Sequence, residues 1–220
     1  AHDVYAADVD GDGDMDVLSA SRDDDKIAWY ENDGSESFTE HAISTSAESA
    51  RDVHAADVDG DGDMDVLSAS WNDDKIAWYE NHGSESFTEH VLSTSAVGPW
   101  DVLATDFDGD GDMDILSVSH NNYHIFWYDN DGSESFTEHV IPSTADLIQS
   151  VYAEDVDGDG DMDVLSASSV DNKIAWYENE GSPAAPENFT EHVISTSAER
   201  AESVYAADVD GDGDMDVLSA

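Results

Sequence analysis

A chain of 220 residues, 39% of them apolar and none of them cysteine, can bury a core but can form neither disulfides nor thiolate metal sites. Its 54 acidic residues against 6 basic ones leave a formal net charge of −48, which excludes nucleic acid as a direct partner, because phosphate binding needs a basic face. No stretch approaches the roughly 18 consecutive apolar residues of a membrane helix, so no membrane insertion is expected. Trp and Tyr recurring inside apolar runs argue against a disordered acidic tail. The chain begins at Ala1 rather than Met and reads as a mature region or an excised piece.

From the N-terminus, four short strands are expected, over residues 3–7, 15–20, 26–31 and 38–43. The turn Asn32-Asp33-Gly34-Ser35 separates the last two; Asn, Asp and Gly tolerate the left-handed backbone that hairpin turns need. The pattern then repeats. Asp-Val-Asp-Gly-Asp-Gly-Asp-Met-Asp begins at Asp8 and recurs from Asp57, Asp155 and Asp208, with a copy from Asp106 in which Phe107 replaces Val. The starts lie 49, 49, 49 and 53 residues apart, and the extra four fall in the Pro-rich stretch 182–188, expected to be a surface loop. The third strand is apolar on both faces (Ile27 and Trp29, Ala28 and Tyr30), as suits a sheet held between other sheets. Four-stranded units of this length are the signature of an all-β protein, a β-propeller of four-stranded antiparallel blades with about 49 residues each. A β-solenoid coil is usually shorter, at about 20–30 residues, and paired β-sandwiches would not explain near-identical units. One repeat domain over 1–220 is expected, with units 1–49, 50–98, 99–147 and 148–200 and a half unit 201–220. The half blade leaves a strand edge for a longer parent chain or a second copy of the chain to complete.

Each aspartate loop has metal-ligand spacing. In the first, Asp8, Asp10 and Asp12 bring three carboxylates around one point, and Gly13 permits a sharp reversal. The carbonyl of Asp14 can then turn inward while the Asp16 carboxylate closes the shell. Oxygen ligands without His or Cys select calcium over zinc or copper. The other candidate ligands are Asp57, Asp59, Asp61, Asp63 and Asp65; Asp106, Asp108, Asp110, Asp112 and Asp114; Asp155, Asp157, Asp159, Asp161 and Asp163; and Asp208, Asp210, Asp212, Asp214 and Asp216. One Ca²⁺ per loop gives up to five. The loops hold 25 of the 54 acidic residues, and such crowding repels severely without a cation. An EF-hand, which starts alike, needs a bidentate Glu at position 12 and flanking helices. Position 12 is Ser19 here, and the flanks read as strands.

This Asp-x-Asp-x-Asp-Gly-x-x-Asp loop between two strands, repeated at blade spacing over essentially the whole chain, resembles the FG-GAP and VCBS repeat families. It is similar to the calcium loops of the integrin α-subunit propeller and of fungal propeller lectins. The resemblance implies a calcium loop between the innermost and second strands of each blade, and an extracellular or cell-surface protein.

No catalytic constellation stands out, and an enzyme is not expected. Glu31, Glu80 and Glu178 recur at one place in their units, as do His41, His90, His139 and His192, which points to structural roles. Near-identical units differ just after the second strand, at Arg22, Trp71, His120 and Ser169, and six residues before each loop, at His2, Arg51, Trp100, Gln149 and Glu202. The first hairpin puts both positions at the end of the blade opposite the calcium loop. Trp71 and Trp100, expected on adjoining blades, are costly at a loop without a partner. With Arg22, Arg51 and His120 they form the candidate surface for a glycan or protein ligand. A purely structural, calcium-rigidified repeat unit is the alternative, and an accessory domain of a larger secreted enzyme a third reading.

Overall fold

The computed structural model describes residues 1–35, 37–83, 86–181 and 188–220, so all but the last residue of the expected loop at 182–188 lies outside the described residues. Every element among the described residues is a strand. The first sheet comprises β1 (Asp3–Ala7), β2 (Asp16–Ser21), β3 (Lys26–Asn32) and β4 (Phe38–Ser44), in that order and antiparallel. The second comprises β5 (Ala50–Ala56), β6 (Asp65–Ser70), β7 (Lys75–Asn81) and β8 (Phe87–Ser93). The third comprises β9 (Pro99–Thr105), β10 (Asp114–Ser119), β11 (His124–Asn130) and β12 (Phe136–Ile141). The fourth comprises β13 (Ile148–Glu154), β14 (Asp163–Ser168), β15 (Lys173–Asn179) and β16 (Phe189–Ser195). A hairpin of β17 (Val204–Ala207) and β18 (Asp216–Ser219) follows, with β18 as a free edge.

The sheets stack face to face, and the core lies between them. Leu18, Ile27 and Trp29 of the first blade meet Val53, Val66 and Tyr79 of the second. Leu67, Ile76 and Trp78 meet Val102, Ile115 and Tyr128 in the same way, and the hairpin packs Val204 and Ala206 on Leu165 and Ile174. The second strands β6, β10 and β14 are buried at every residue, which is why their sequences do not alternate. The outer strands bear the repeated histidines. His41, His90 and His192 stack on Trp29, Trp78 and Trp176, and His139 tilts against Trp127. Each is tied to an acid of the neighbouring strand: Glu31, Glu80, Glu178 and Asp129 respectively. Lys26, Lys75 and Lys173 reach across to Glu40, Glu89 and Glu191. These repeated side chains fasten the third and fourth strands within each blade.

The first strands line the axis, β1 against β5, β5 against β9, β9 against β13 and β13 against β17. A carboxylate links each of the first three blades to the next. Asp3 accepts the Val53 amide at 3.4 Å, Asp52 the Val102 amide at 3.0 Å, and Asp101 the Val151 amide at 2.7 Å. Ser150 and Ser203 stand at the equivalent positions further round. Burial, reinforced by the charges of Asp101 and Asp3, raises the Asp52 pKa well above its ordinary 3.8. Burial likewise raises Asp101 to about 6. The two carboxyls share a hydrogen bond, which protonated Asp52 donates and Asp101 accepts.

A folded-state pKa above the unfolded value contributes stability that is complete below about pH 3.8 and is lost as pH rises through about 6. Asp52→Asn keeps an oxygen for Val102 and an N–H for Asp101 but carries no charge. At pH 7.5 it is expected to stabilise the fold, and the gain is expected to shrink as the pH falls through about 6 toward the ordinary carboxylate range. Melting of both proteins across this range checks it; a pH-independent difference would contradict it.

Candidate metal centres and the axial face

The β1–β2 loop is held by its own carboxylates. Gly13 sits at φ 96°, where a side chain would be strained, and its amide donates to Asp8 Oδ2 at 3.0 Å. Asp10 Oδ1 accepts the Asp12 amide at 3.1 Å, and Asp12 Oδ1 the Asp14 amide at 2.8 Å. Asp16, fully buried, closes the loop with both oxygens. Its Oδ2 accepts the Val9 amide at 3.0 Å and its Oδ1 the Asn32 amide at 2.7 Å, joining the loop to the end of β3. Asp65, Asp114 and Asp163 repeat this double contact with Val58 and Asn81, Phe107 and Asn130, and Val156 and Asn179. In the fifth loop Asp216 holds the Val209 amide.

Five groups of carboxylates result, each with ligand atoms within 4.8 Å of one another: Asp8, Asp10, Asp16; Asp57, Asp59, Asp61; Asp106, Asp108, Asp110; Asp155, Asp157, Asp163; and Asp208, Asp210, Asp216. Loop positions 1 and 3 thus join every group. The third member is position 9 in three loops and position 5 in the other two, so Asp12, Asp159 and Asp212 on one hand and Asp65 and Asp114 on the other stand beside their groups. The position-7 carboxylates Asp14, Asp63, Asp112, Asp161 and Asp214 join none. The side chains of Asp14, Asp63, Asp112 and Asp161 lie instead against Gly34, Gly83, Gly132 and Gly181, in the turn after the third strand. Those glycines have positive φ (70° at Gly34) and leave the space a Cβ would fill.

These residues fit a hard cation. Asp8 Oδ1, Asp57 Oδ1 and Asp106 Oδ1 are buried and accept no hydrogen bond, an expensive state for a carboxylate oxygen unless something else satisfies it. The same atom is left over in three successive loops. Burial, with the charges of neighbouring aspartates, raises the pKa of Asp10, Asp59 and Asp108, and burial takes Asp65 and Asp114 to about 6. All the converging donors are oxygens, the ligand set of calcium.

At the other end of the axis the sequence-variable residues converge. Trp71 meets Trp100 edge-on with ring centroids 5.4 Å apart, across two blades. Arg51 lies over both rings, at 5.0 and 4.4 Å, and His120 stacks on Trp100 at 4.9 Å. Arg51 also bonds His2 at 3.1 Å, and Gln149 bonds His120 at 3.0 Å. The tryptophans are therefore half-buried and partner one another, an arrangement between blades that no single repeat reveals. Arg22 stands apart on the first blade, paired with Asp23 and exposed. A cavity of about 260 Å³ on the axis is lined by His2, Arg51, Trp100, Gln149 and Glu202, with Asp52 and Asp101 among the residues one position deeper. Those first five are the five different side chains of one repeat position.

Sequence reasoning missed the axial carboxylates Asp3, Asp52 and Asp101. It also missed Asn32, Asn81, Asn130 and Asn179, which end the third strands; their recurrence in every full unit was the available signal.

Four-stranded blades around an axis, each with an acidic loop between its first two strands, define a propeller-type repeat protein. The FG-GAP-like repeat profile matches residues 8–68, 57–117, 106–166 and 155–219, and the chain belongs to that family. No curated protein sequence matches it. Among solved structures it is similar to a functionally unknown protein from Desulfotomaculum acetoxidans (15% identity, 87% of this chain and 56% of that one, TM-score 0.60). It is also similar to a streptogramin B lyase (17%, 86% and 54%, 0.58) and to an auxiliary nutrient binding protein from Bacteroides ovatus (12%, 83% and 44%, 0.56). The chain thus spans little more than half the length of the first two, and at these identities the likeness shows the fold alone.

Substitutions within one loop separate ligands from bystanders. Asp57→Ala is expected to remove one calcium per chain and loosen its own blade, leaving distant blades little changed. Asp63→Asn is expected to keep that calcium. Titration calorimetry reads the stoichiometry; an unchanged count in Asp57→Ala would refute the ligand assignment.

Proposed function

We propose that the chain is a calcium-binding β-propeller module of an extracellular or cell-surface protein, and that it recognises a glycan or protein ligand through the face opposite the calcium loops. One observation supports this most: a single repeat position carries five different side chains, and all five line one axial cavity. The faces that hold blades together keep their residues from unit to unit, whereas this ring varies. It offers donors (Arg51, Gln149, His2), acceptors (Glu202, Asp52, Asp101) and an aromatic wall (Trp100), the mixture by which a pocket orients a polar ligand. The family and the five oxygen-only groups support one Ca²⁺ per loop, as a rigidifying ion. Extracellular modules of this chemistry work at about 10⁻⁴–10⁻³ M calcium. The reading is non-catalytic, since the acids and histidines that recur along the chain are tied to one another within blades. The free edge of β18 supports pairing with a further strand of the same polypeptide or of another copy.

A purely structural, calcium-rigidified repeat unit is the second reading. The mutual contacts of Arg51, Trp71, Trp100 and His120 favour it, because these side chains have partners without a ligand.

Binding of the calcium-saturated protein to a glycan array and to extracellular matrix proteins separates the two. Recognition is expected to fall at least about tenfold, the loss of one good contact, in Trp100→Ala and in the exposed-site variant Glu202→Ala, with calcium content intact. Absence of binding, or binding unchanged in both variants, favours the structural reading.

A further inference from the structure

We infer that the asparagine ending the third strand of a blade is a positioning residue for two calcium loops at once, its own and that of the preceding blade, so that neighbouring loops bind calcium cooperatively. The inference rests on the calcium reading of the loops. Asn81 is 3% exposed, and its backbone amide and both polar atoms of its side chain are hydrogen-bonded. Its backbone amide donates to Asp65 Oδ1 at 2.7 Å, and its Oδ1 accepts the Gly83 amide at 3.1 Å. Its Nδ2 donates to Met64 O in its own loop and to Val9 O in the first blade's loop, both at 2.9 Å. Asn130 repeats the set one blade on: Asp114 Oδ1 at 2.7 Å, Gly132 at 3.2 Å, and Met113 O and Val58 O both at 3.1 Å.

The preceding-blade carbonyls that receive these bonds belong to residues flanked by candidate ligands. Val9 stands between Asp8 and Asp10, and Val58 between Asp57 and Asp59. The amide of each is held by the position-9 carboxylate of its own loop, Asp16 or Asp65, at 3.0 Å. An ion that draws Asp8 and Asp10 together therefore sets the direction of the Val9 carbonyl. That carbonyl sets Asn81, whose amide holds Asp65, and Asp65 holds Val58 among the ligands of the second loop. Asn130 carries the same linkage on to Asp114 and the third loop. Every joint is a direct hydrogen bond, and the four connecting side chains other than Asp16, namely Asn81, Asp65, Asn130 and Asp114, are buried.

The fourth blade is an internal control. Asn179 keeps its bonds to Asp163 Oδ1 at 2.8 Å and Met162 O at 3.1 Å, but makes none to Phe107 O among the described residues. Phe107 is also the one residue that departs from Val at that loop position in the first three loops. The linkage runs through loops one, two and three and stops before four.

The test is a calcium titration followed by amide NMR at Gly62 in the second loop and Gly160 in the fourth. Asp10→Asn, which weakens the first loop, is expected to raise the calcium midpoint at Gly62 by at least about fivefold, the lower end of ordinary coupling between sites, and to leave Gly160 unmoved. Asn81→Asp replaces the Nδ2 donor with an oxygen and is expected to abolish the dependence of Gly62 on the first loop. Asn179→Asp is expected to shift Gly160 alone. A Gly62 midpoint indifferent to Asp10→Asn with Asn81 present would overturn the inference, and that arm needs no asparagine variant to fold. An equal shift at Gly62 and Gly160 would overturn it too, as a general loss of stability. A protein in which neither glycine responds to calcium would instead remove the reading on which the inference stands.

Discussion

The structure depends on a buried carboxylate at the ninth position of the aspartate loop in each of the four complete blades. Asp16, Asp65, Asp114 and Asp163 each accept two backbone amides, one from the loop and one from the end of the third strand. This closes the turn between the first two strands and fixes it to the turn between the last two. It also places the carboxylates of positions 1 and 3 side by side, where their charges oppose one another. A buried anion with only neutral partners is held at a cost, and burial accordingly raises the pKa of Asp65 and Asp114. A divalent cation would lower that cost while using the geometry the backbone bonds have already built.

The blades divide their residues between two tasks. What recurs is the machinery that holds a blade together: Trp on His, His on Glu, Lys on Glu, and the asparagine at the end of the third strand. The axial face is where recurrence stops. The first strands and the residues leading into them bring His2, Arg51, Trp100, Gln149 and Glu202 to one cavity, while at the next position Asp3, Asp52 and Asp101 bridge to the following blade. Repetition fixes the frame, and its interruption marks the face proposed to meet a ligand.

Much of this was legible in the sequence because it is written locally and several times. The strand boundaries follow from alternating apolar runs and Asp-Gly turns, and the structure moves them by about a residue; β2 begins at Asp16 rather than at the exposed Met15. The grouping of positions 1 and 3 follows from spacing alone. Position 7 was harder, because its place depends on a turn some twenty residues further on: Asp14 lies against Gly34, a contact between two loops of one blade. Contacts between blades were least legible. Asn81 bonds Val9 across 72 residues, and Trp71 partners Trp100 only once two blades are stacked. A repeat unit read alone contains neither partner, so such residues show themselves only as unexplained constancy or unexplained variation.

On the proposed reading the aspartate loops are calcium sites on which the fold relies. At a free calcium concentration about 100 times the dissociation constant one such site contributes roughly 2.7 kcal/mol, so loss of several sites exceeds the margin of an ordinary domain. The direct measurement combines metal analysis of the protein as purified in calcium buffer with its thermal melting before and after chelation. The account predicts one calcium for each intact loop, up to five, and a large fall in the melting midpoint on chelation that added calcium restores. A folded protein that holds no metal and melts at the same temperature in chelator would contradict it.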